Sequence, residues 1–134
     1  MSKLGCICGH TITDQTDAIP YKGHIIRDVI EEPFLEKLYG IIDSLIDAIK
    51  NDQREKWVKD NFHDSYPLHL KNSDMVHDLF IGYYLDQTRD IYQCENCGRI
   101  LIQVGTSQNY ATFKPESGNW KNILGNEAGI DVVQ

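Results

Sequence analysis

The spacing of apolar residues predicts a long helix in the middle of the chain. Eight large apolar side chains recur there every three or four residues, which is the period of an amphipathic helix. They are Phe34, Leu35, Leu38, Ile41, Ile42, Leu45, Ile46 and Ile49. We expect this helix to run from Pro33 to Lys50, because proline fits the first turn of a helix.

Two further helices are predicted after this one. Asn51–Asp52 is expected to interrupt the pattern, and Gln53–Phe62 to form a second helix that packs Trp57 inward. Ser73 is a good N-cap residue for a third, short helix. The run FIGYYL that follows fits either a continuation of this helix or a strand, and it is expected to become a strand at its far end, before a turn of the chain.

Short runs rich in β-branched residues predict strands on both sides of the helices. Leu4–Ile12 is expected to form a hairpin, and His24–Ile30 an extended lead-in to the long helix. Ile91–Cys94 and Arg99–Val104 are expected to pair as an antiparallel hairpin. A further strand over Asn109–Lys114 should end where proline follows it.

Four cysteines lie in two short motifs, GCICGH near the start of the sequence and QCENCGR near its end. Each pair, Cys6 with Cys8 and Cys94 with Cys97, is followed at once by a glycine, which tolerates positive φ. A turn of this kind presents two thiolates together, and two such turns supply the four ligands of a structural zinc ion. The sequence therefore predicts one structural Zn²⁺ held by these four residues.

The cysteines have two other possible uses, disulfide bonds and redox chemistry. Disulfide bonds are disfavoured, because a Cys-x-Cys bond closes a strained ring and a reducing compartment is expected. A redox Cys-x-x-Cys motif requires a helix start directly after it, whereas the β-rich run RILIQV follows Cys97. His10, beside the first pair, is the only spare ligand in the motifs and is expected to be an ordinary turn residue.

These elements predict an α+β fold. We expect a zinc-ribbon-like antiparallel sheet with a helical insertion over about residues 32–80, between zinc turns at residues 5–10 and 93–99. The length favours a single domain over residues 1–134. Near the end, Trp120, Ile123 and Leu124 are expected to form one helical turn over the sheet edge.

The net charge of the chain limits the classes of partner that it can be expected to bind. The chain carries 20 acidic and 13 basic side chains, a net charge of −7. This charge repels phosphate backbones and anionic lipid, so we expect neither nucleic acid nor a membrane surface as a partner. No apolar run has the length of a signal peptide or a membrane span, which favours a cytoplasmic location.

Catalytic motifs are missing from the sequence. It contains no H-E-x-x-H, no phosphate-binding glycine loop and no G-x-S-x-G, and its histidines are scattered singly. The cysteines are assigned to the metal. We therefore expect neither an enzyme nor a small-molecule substrate.

Four acidic residues line one side of the predicted long helix. They are Glu32, Glu36, Asp43 and Asp47. Like charges at this spacing repel, so the stripe is either a solvated face or a docking surface for a basic partner. Tyr66, Tyr83 and Tyr84 are candidate anchors for such a partner if their side chains are exposed.

The motifs resemble those of small bacterial zinc-ribbon proteins, many of which look like immunity proteins encoded beside secreted polymorphic toxins. The matching pieces are GCICGH, IPYKG, CENCGRILIQV and TFKPE, which lie in the two ends of the chain. The resemblance implies a non-enzymatic protein that binds a cognate toxin domain, with the zinc purely structural. The alternative is a zinc-ribbon module that binds nucleic acid or a transcription complex, which should show a basic face.

Overall fold

The computed structural model describes residues 2–118 and 122–125, which form six strands and three helices. The strands are β1 (Ser2–Gly5), β2 (Thr11–Asp14), β3 (Lys22–Ile26), β4 (Thr88–Gln93), β5 (Ile100–Gln103) and β6 (Tyr110–Phe113). The helices are α1 (Asp28–Lys50), α2 (Arg54–Asn61) and α3 (Asn72–Gln87). None of the helices in these ranges is both long and apolar enough to cross a membrane. The element order confirms the predicted α+β fold with a helical insertion.

The chain divides into two compact units. The sheet unit comprises Met1–Ile25 and Arg89–Gln134, and the helical unit comprises Ile26–Thr88. The helical unit is longer than the insertion predicted over about residues 32–80, and it extends past that range at both ends. The predicted single domain, residues 1–134, thus contains two units with separate cores.

Two sheets form the sheet unit. β1 and β2 pair antiparallel in the first predicted hairpin. The second sheet has the order β3-β4-β5-β6, and its β4–β5 pair is the second predicted hairpin, with Tyr92 opposite Leu101. Ile12, Tyr92 and Leu101 are buried against Cys6 and Cys94 in one hydrophobic core. Cys6 and Cys94 thus anchor the cysteine-bearing turns in the hydrophobic core of this unit.

One carboxylate links β2 to the second sheet. Asp14, at the end of β2, accepts hydrogen bonds from the Lys22 ammonium and the Tyr92 hydroxyl. Lys22 Nζ also lies 5.5 Å from the centre of the Tyr92 ring. Because Tyr92 is buried, its hydroxyl would be costly to leave without an acceptor, and Asp14 supplies that acceptor.

The helical unit packs around its own core. Leu45, Trp57, Val58 and Met75 are buried together, which confirms that Trp57 faces inward. The Trp57 indole N–H donates to the Ser44 hydroxyl at 3.0 Å. This core contains no cysteine, so the helical unit has a source of stability that is separate from the cysteine turns.

The predicted start of the long helix was wrong. α1 begins at Asp28, five residues before Pro33, so the proline lies inside the helix and not in its first turn. Arg27 is the N-cap residue. The carboxylates of Asp28 and Glu31 in the first turn interact favourably with the positive end of the helix dipole. The segment predicted as extended up to Ile30 is a strand only as far as Ile26.

The predictions for the third helix were also wrong in part. α3 begins at Asn72 with Lys71 as its N-cap, so Ser73 lies inside the first turn. The run FIGYYL is helical throughout, and β4 follows α3 directly. Helical spacing gathers three aromatic rings of this run around the Phe34 ring on α1, and this packing favours helix over strand. The three are Phe80, Tyr83 and Tyr84, with ring centres 5.1 Å, 5.9 Å and 5.9 Å from that of Phe34.

Residues 122–125 lie against the second sheet. They form a turn and not the predicted helical turn, and the Ile123 amide donates to the Gln93 side-chain oxygen on β4 at 2.9 Å. Trp120, which was predicted to join them, lies outside the described residues.

Candidate metal centre

The turn between β1 and β2 carries Cys6 and Cys8. The Cys6 amide donates to the His10 carbonyl oxygen at 2.9 Å, and the Gly9 amide donates to the Cys6 carbonyl oxygen at 2.9 Å. Gly9 has a φ of 97°, in the region that residues with a Cβ rarely adopt. The turn therefore requires glycine where the sequence places it.

The turn between β4 and β5 repeats this arrangement with one more residue. The Cys94 amide donates to the Arg99 carbonyl oxygen at 2.8 Å, and the Gly98 amide donates to the Cys94 carbonyl oxygen at 2.8 Å. Gly98 has a φ of 79°. Both turns are thus narrow loops closed by a glycine in the left-handed region.

The two turns bring all four cysteine sulfurs together. Every pair of Sγ atoms lies within 4.8 Å, with Cys6 and Cys97 at 3.5 Å and Cys8 and Cys94 at 3.7 Å. Tetrahedral coordination with zinc–sulfur bonds of about 2.3 Å places sulfurs roughly 3.8 Å apart, whereas a disulfide holds them about 2.05 Å apart. The four cysteines are free, and together they could hold one metal ion.

Backbone amides surround the sulfurs. Each cysteine sulfur accepts a hydrogen bond from the amide two residues further along the chain. The donors to Cys6, Cys8 and Cys97 are the amides of Cys8, His10 and Arg99, respectively, and Cys94 accepts from the amides of both Cys97 and Asn96. Such donors favour the thiolate, which is the form that binds metals.

The two buried thiols resist ionisation. Burial raises the pKa of Cys6 to about 12, although the Cys8 amide opposes this rise. Burial also raises the pKa of Cys94, against the amides of Cys97 and Asn96. A metal ion bound there would supply positive charge that favours the two thiolates.

The other two thiols ionise more readily. The Asn96 side chain, which donates to the exposed Cys8 sulfur at 3.5 Å, and the His10 amide lower the pKa of Cys8. Burial acts to raise the pKa of Cys97, but the amide and guanidinium of Arg99, together with the Cys6 and Cys8 thiols, outweigh it and lower the pKa to about 6.

His10 does not join the sulfur cluster. Its ring Nε2 lies 3.4 Å from the Glu95 carboxylate on the opposite turn. The pair therefore links the two turns at the surface, and the cluster of possible metal ligands among the described residues consists of the four cysteines.

The predicted acidic residues lie together on α1. All four are exposed, and at 100° per residue they fall within about 60° of one another around the helix. They are Glu32, Glu36, Asp43 and Asp47. This acidic stripe lies opposite the buried Phe34 and Leu45, so α1 presents it to the surface.

A comparison with protein families covers nearly all of this structure. The model of a domain of unknown function, DUF8617, matches residues 2–117. The chain belongs to the DUF8617 family. In this DUF8617 chain, all four cysteines and all of α1 to α3 lie inside the matched segment. Comparison with curated proteins and with solved structures found no match.

The structure of the DUF8617 chain also exposes apolar residues that the sequence assigned to the core. Ile46 and Ile49 belong to the predicted apolar pattern, yet they are 48% and 42% exposed, and Tyr39 is 54% exposed. The predicted anchors are less accessible: Tyr66 stacks on Phe62 with ring centres 3.7 Å apart. Tyr83 and Tyr84 pack on Phe34. A helical wheel of α1 could have identified Tyr39 as an exposed residue, because it places Tyr39 away from the core-facing Phe34 and Leu45.

Proposed function

We propose that the metal ion is zinc and that its role is structural. Four thiolates form a soft donor set that suits zinc, and the sulfur spacing of 3.5 Å to 3.7 Å suits its tetrahedral geometry. A catalytic zinc keeps one position for water, whereas Cys6, Cys8, Cys94 and Cys97 fill all four positions. Zinc bound here would join the β1–β2 turn to the β4–β5 turn and supply no chemistry.

We propose further that the protein is a cytoplasmic immunity protein that binds and neutralises a cognate antibacterial toxin domain without catalysis. The resemblance of the cysteine motifs to zinc-ribbon immunity proteins suggests this role. A reducing cytoplasm suits four free thiols that bind metal. The acidic stripe is the structural observation that carries the proposal.

The distribution of charge supports a binding role for the helical unit. That unit contains 13 acidic and 7 basic side chains, a net charge of −6, which leaves −1 for the sheet unit. On α1 alone, six acidic and two basic residues give −4. Most of the net negative charge is therefore on one helix, where it would attract a basic protein surface.

The acidic stripe suggests how inhibition would work. Toxin domains that act on nucleic acid need a basic cleft for phosphate groups. Carboxylates along a helix of 23 residues, which is about 34 Å long, would occupy such a cleft in place of the phosphate backbone. Binding there would block the entry of the toxin's substrate.

The proposal expects a toxin domain to be encoded beside this gene, and binding kinetics with that domain test it. We expect tight binding and protection of cells that express the toxin. The Asp43→Lys/Asp47→Lys double variant should associate more slowly and with a weaker dependence on salt, because charges act mainly on the encounter rate. Asp17→Lys/Asp64→Lys, two exposed acids outside α1, is the matched control for net charge.

Two outcomes would overturn the assignment. One is a folded Asp43→Lys/Asp47→Lys protein that binds as fast and protects as well as the wild type. The other is tight binding of the wild type to duplex DNA or RNA with a steep salt dependence, which would favour a nucleic-acid-binding module.

A further inference from the structure

α1 carries two parallel rows of apolar residues, and one of them is much less buried than the other. The inner row is buried or half-buried in the helical unit and follows a spacing of 4-3-4-3. Its members are Phe34, Leu38, Ile41, Leu45 and Ala48. The second row, which we call the outer seam, repeats the same spacing one residue later. Its members are Leu35, Tyr39, Ile42, Ile46 and Ile49.

The outer seam is open to solvent. Tyr39, Ile46 and Ile49 are 54%, 48% and 42% exposed, and Leu35 and Ile42 are half-buried. Scattered exposed apolar residues are ordinary on a protein surface, but five at 4-3-4-3 spacing form a continuous stripe. This spacing is the heptad pattern by which one helix packs along another. The seam therefore has the form of a helix-docking surface.

The acidic stripe borders the outer seam along one side. Glu36 and Asp43 each follow a seam residue directly, Leu35 and Ile42, and so take the flanking positions where coiled coils place charges that select a partner. A partner helix on the seam would meet these carboxylates with its own flanking side chains. Glu36 and Asp43 attract basic side chains of the partner helix and repel acidic ones. They therefore select lysine or arginine at the flanking positions of that helix.

We propose that the outer seam docks a basic amphipathic helix of the partner, with apolar residues on Tyr39 and Ile46 and lysine or arginine facing Glu36 and Asp43. The proposal rests on the proposed binding function and names the partner's chemistry. A second copy of this chain fits poorly, because it would bring one α1, with a net charge of −4, against another. Tyr39 is the natural anchor, since a large aromatic side chain gives much contact area for little loss of entropy.

The seam and the stripe have separable effects on binding. Rim charges change the association rate and its salt dependence, whereas buried anchors change the dissociation rate. We expect Tyr39→Ala/Ile46→Ala to speed dissociation by roughly tenfold or more at an unchanged association rate. Val29→Ala is the matched control, because Val29 is also on α1 and is 76% exposed, but lies off the seam.

Two synthetic helical peptides test the seam without any knowledge of the toxin. The first has three heptads with leucine at the core positions and lysine at the flanking positions, and the second replaces each leucine with serine. Titration calorimetry should show the leucine peptide binding the wild type at least roughly tenfold more tightly than the serine peptide. Tyr39→Ala/Ile46→Ala should remove that difference, Val29→Ala should keep it, and amide exchange should slow along the seam.

The inference is overturned if both peptides bind alike or if Tyr39→Ala/Ile46→Ala binds the leucine peptide as tightly as the wild type does. Binding to a cognate toxin domain separates this inference from the immunity function. A toxin that binds wild type and seam variant with equal dissociation rates contradicts the seam and leaves the immunity function standing. Seam-dependent peptide binding by a protein that neither binds nor neutralises the toxin supports the seam and contradicts the immunity function.

Discussion

The Sγ atoms of Cys8 and Cys94 lie 3.7 Å apart, although 86 positions separate the two residues in the chain. The entire helical unit lies in the chain between them. A metal ion bound by both residues would close this long loop, and a cross-link stabilises by restricting the unfolded chain. Removal of one ligand should therefore affect the sheet unit first.

We predict that Cys94→Ser lowers Tm by at least about 10 °C, on the scale in which about 1 kcal/mol shifts Tm by roughly 4 °C. The helical unit has its own core around Leu45 and Met75, so the variant should keep most of its helical circular dichroism at room temperature. Ile7→Ser, a change at an exposed residue between two ligands, is the control. A Cys94→Ser protein with the same Tm as the Ile7→Ser control would contradict the structural role of the metal.

The glycine after each cysteine pair gives a second test. Gly9→Ala should lower the free energy of unfolding by about 1–2 kcal/mol, because a φ of 97° is strained for any residue with a Cβ. Space is not the cause, since an added Cβ would meet no atom within 4 Å at Gly9 or at Gly5. Gly5→Ala, with ordinary backbone, should be nearly neutral. Equal urea midpoints for the two variants would show that the turn does not depend on the backbone of Gly9.

These turns show what the sequence can reveal. A glycine directly after Cys8 and after Cys97 predicted two backbone positions with positive φ, and the structure places both there. The amide donors to the sulfurs follow from the same turn geometry. Local geometry of this kind can be predicted from the sequence, because it depends on residues that are adjacent in the chain.

Properties that depend on distant contacts were harder to predict. Eight apolar residues at helical spacing gave one predicted stripe, but on α1 they belong to two rows, and the sequence does not show which row another helix covers. The helical state of FIGYYL likewise depends on packing against Phe34, from a different helix. Pro33 predicted a helix start, yet the helix begins at Asp28. Proline prefers the first turn of a helix, but the rest of the fold can override this preference.

The hydrogen bonds of Asp14 predict a stability that depends on pH. Burial alone would raise the pKa of this carboxyl, but hydrogen bonds from Lys22 and Tyr92 outweigh burial and hold its pKa below the ordinary value. A carboxyl with a lowered pKa stabilises the fold above its unfolded pKa of about 3.9, and this stability is lost as the pH falls through the lower folded pKa.

We therefore expect Asp14→Asn to lower the free energy of unfolding by about 1–3 kcal/mol near neutral pH. The difference from the wild type should be smaller at about pH 3, because the unfolded chain, with an Asp pKa of about 3.9, then binds a proton that the folded carboxyl resists. Urea unfolding at the two pH values measures this, with the exposed Asp17→Asn as control. A difference that stays constant with pH would mean that the charge of Asp14 is unimportant.

Arg54 holds the loop between α2 and α3. Its guanidinium donates to the Leu68 carbonyl oxygen at 2.8 Å, to the Leu70 carbonyl oxygen, and to the Asn72 side-chain oxygen at 2.9 Å. Lysine cannot reproduce this fork of donors, so Arg54→Lys should lower the free energy of unfolding by about 1–3 kcal/mol. Arg27→Lys, at an exposed N-cap, should have little effect in the same denaturation experiment. Equal stability of the two variants would argue against this role of Arg54.

The metal content of the freshly purified protein tests the central claim most directly. Native mass spectrometry together with elemental analysis, on protein prepared without chelator, should find one zinc ion per chain and four reduced cysteines. Cys94→Ser should bind zinc much more weakly, because it has one thiolate fewer. A metal-free protein with disulfides between Cys6, Cys8, Cys94 and Cys97 would contradict the account.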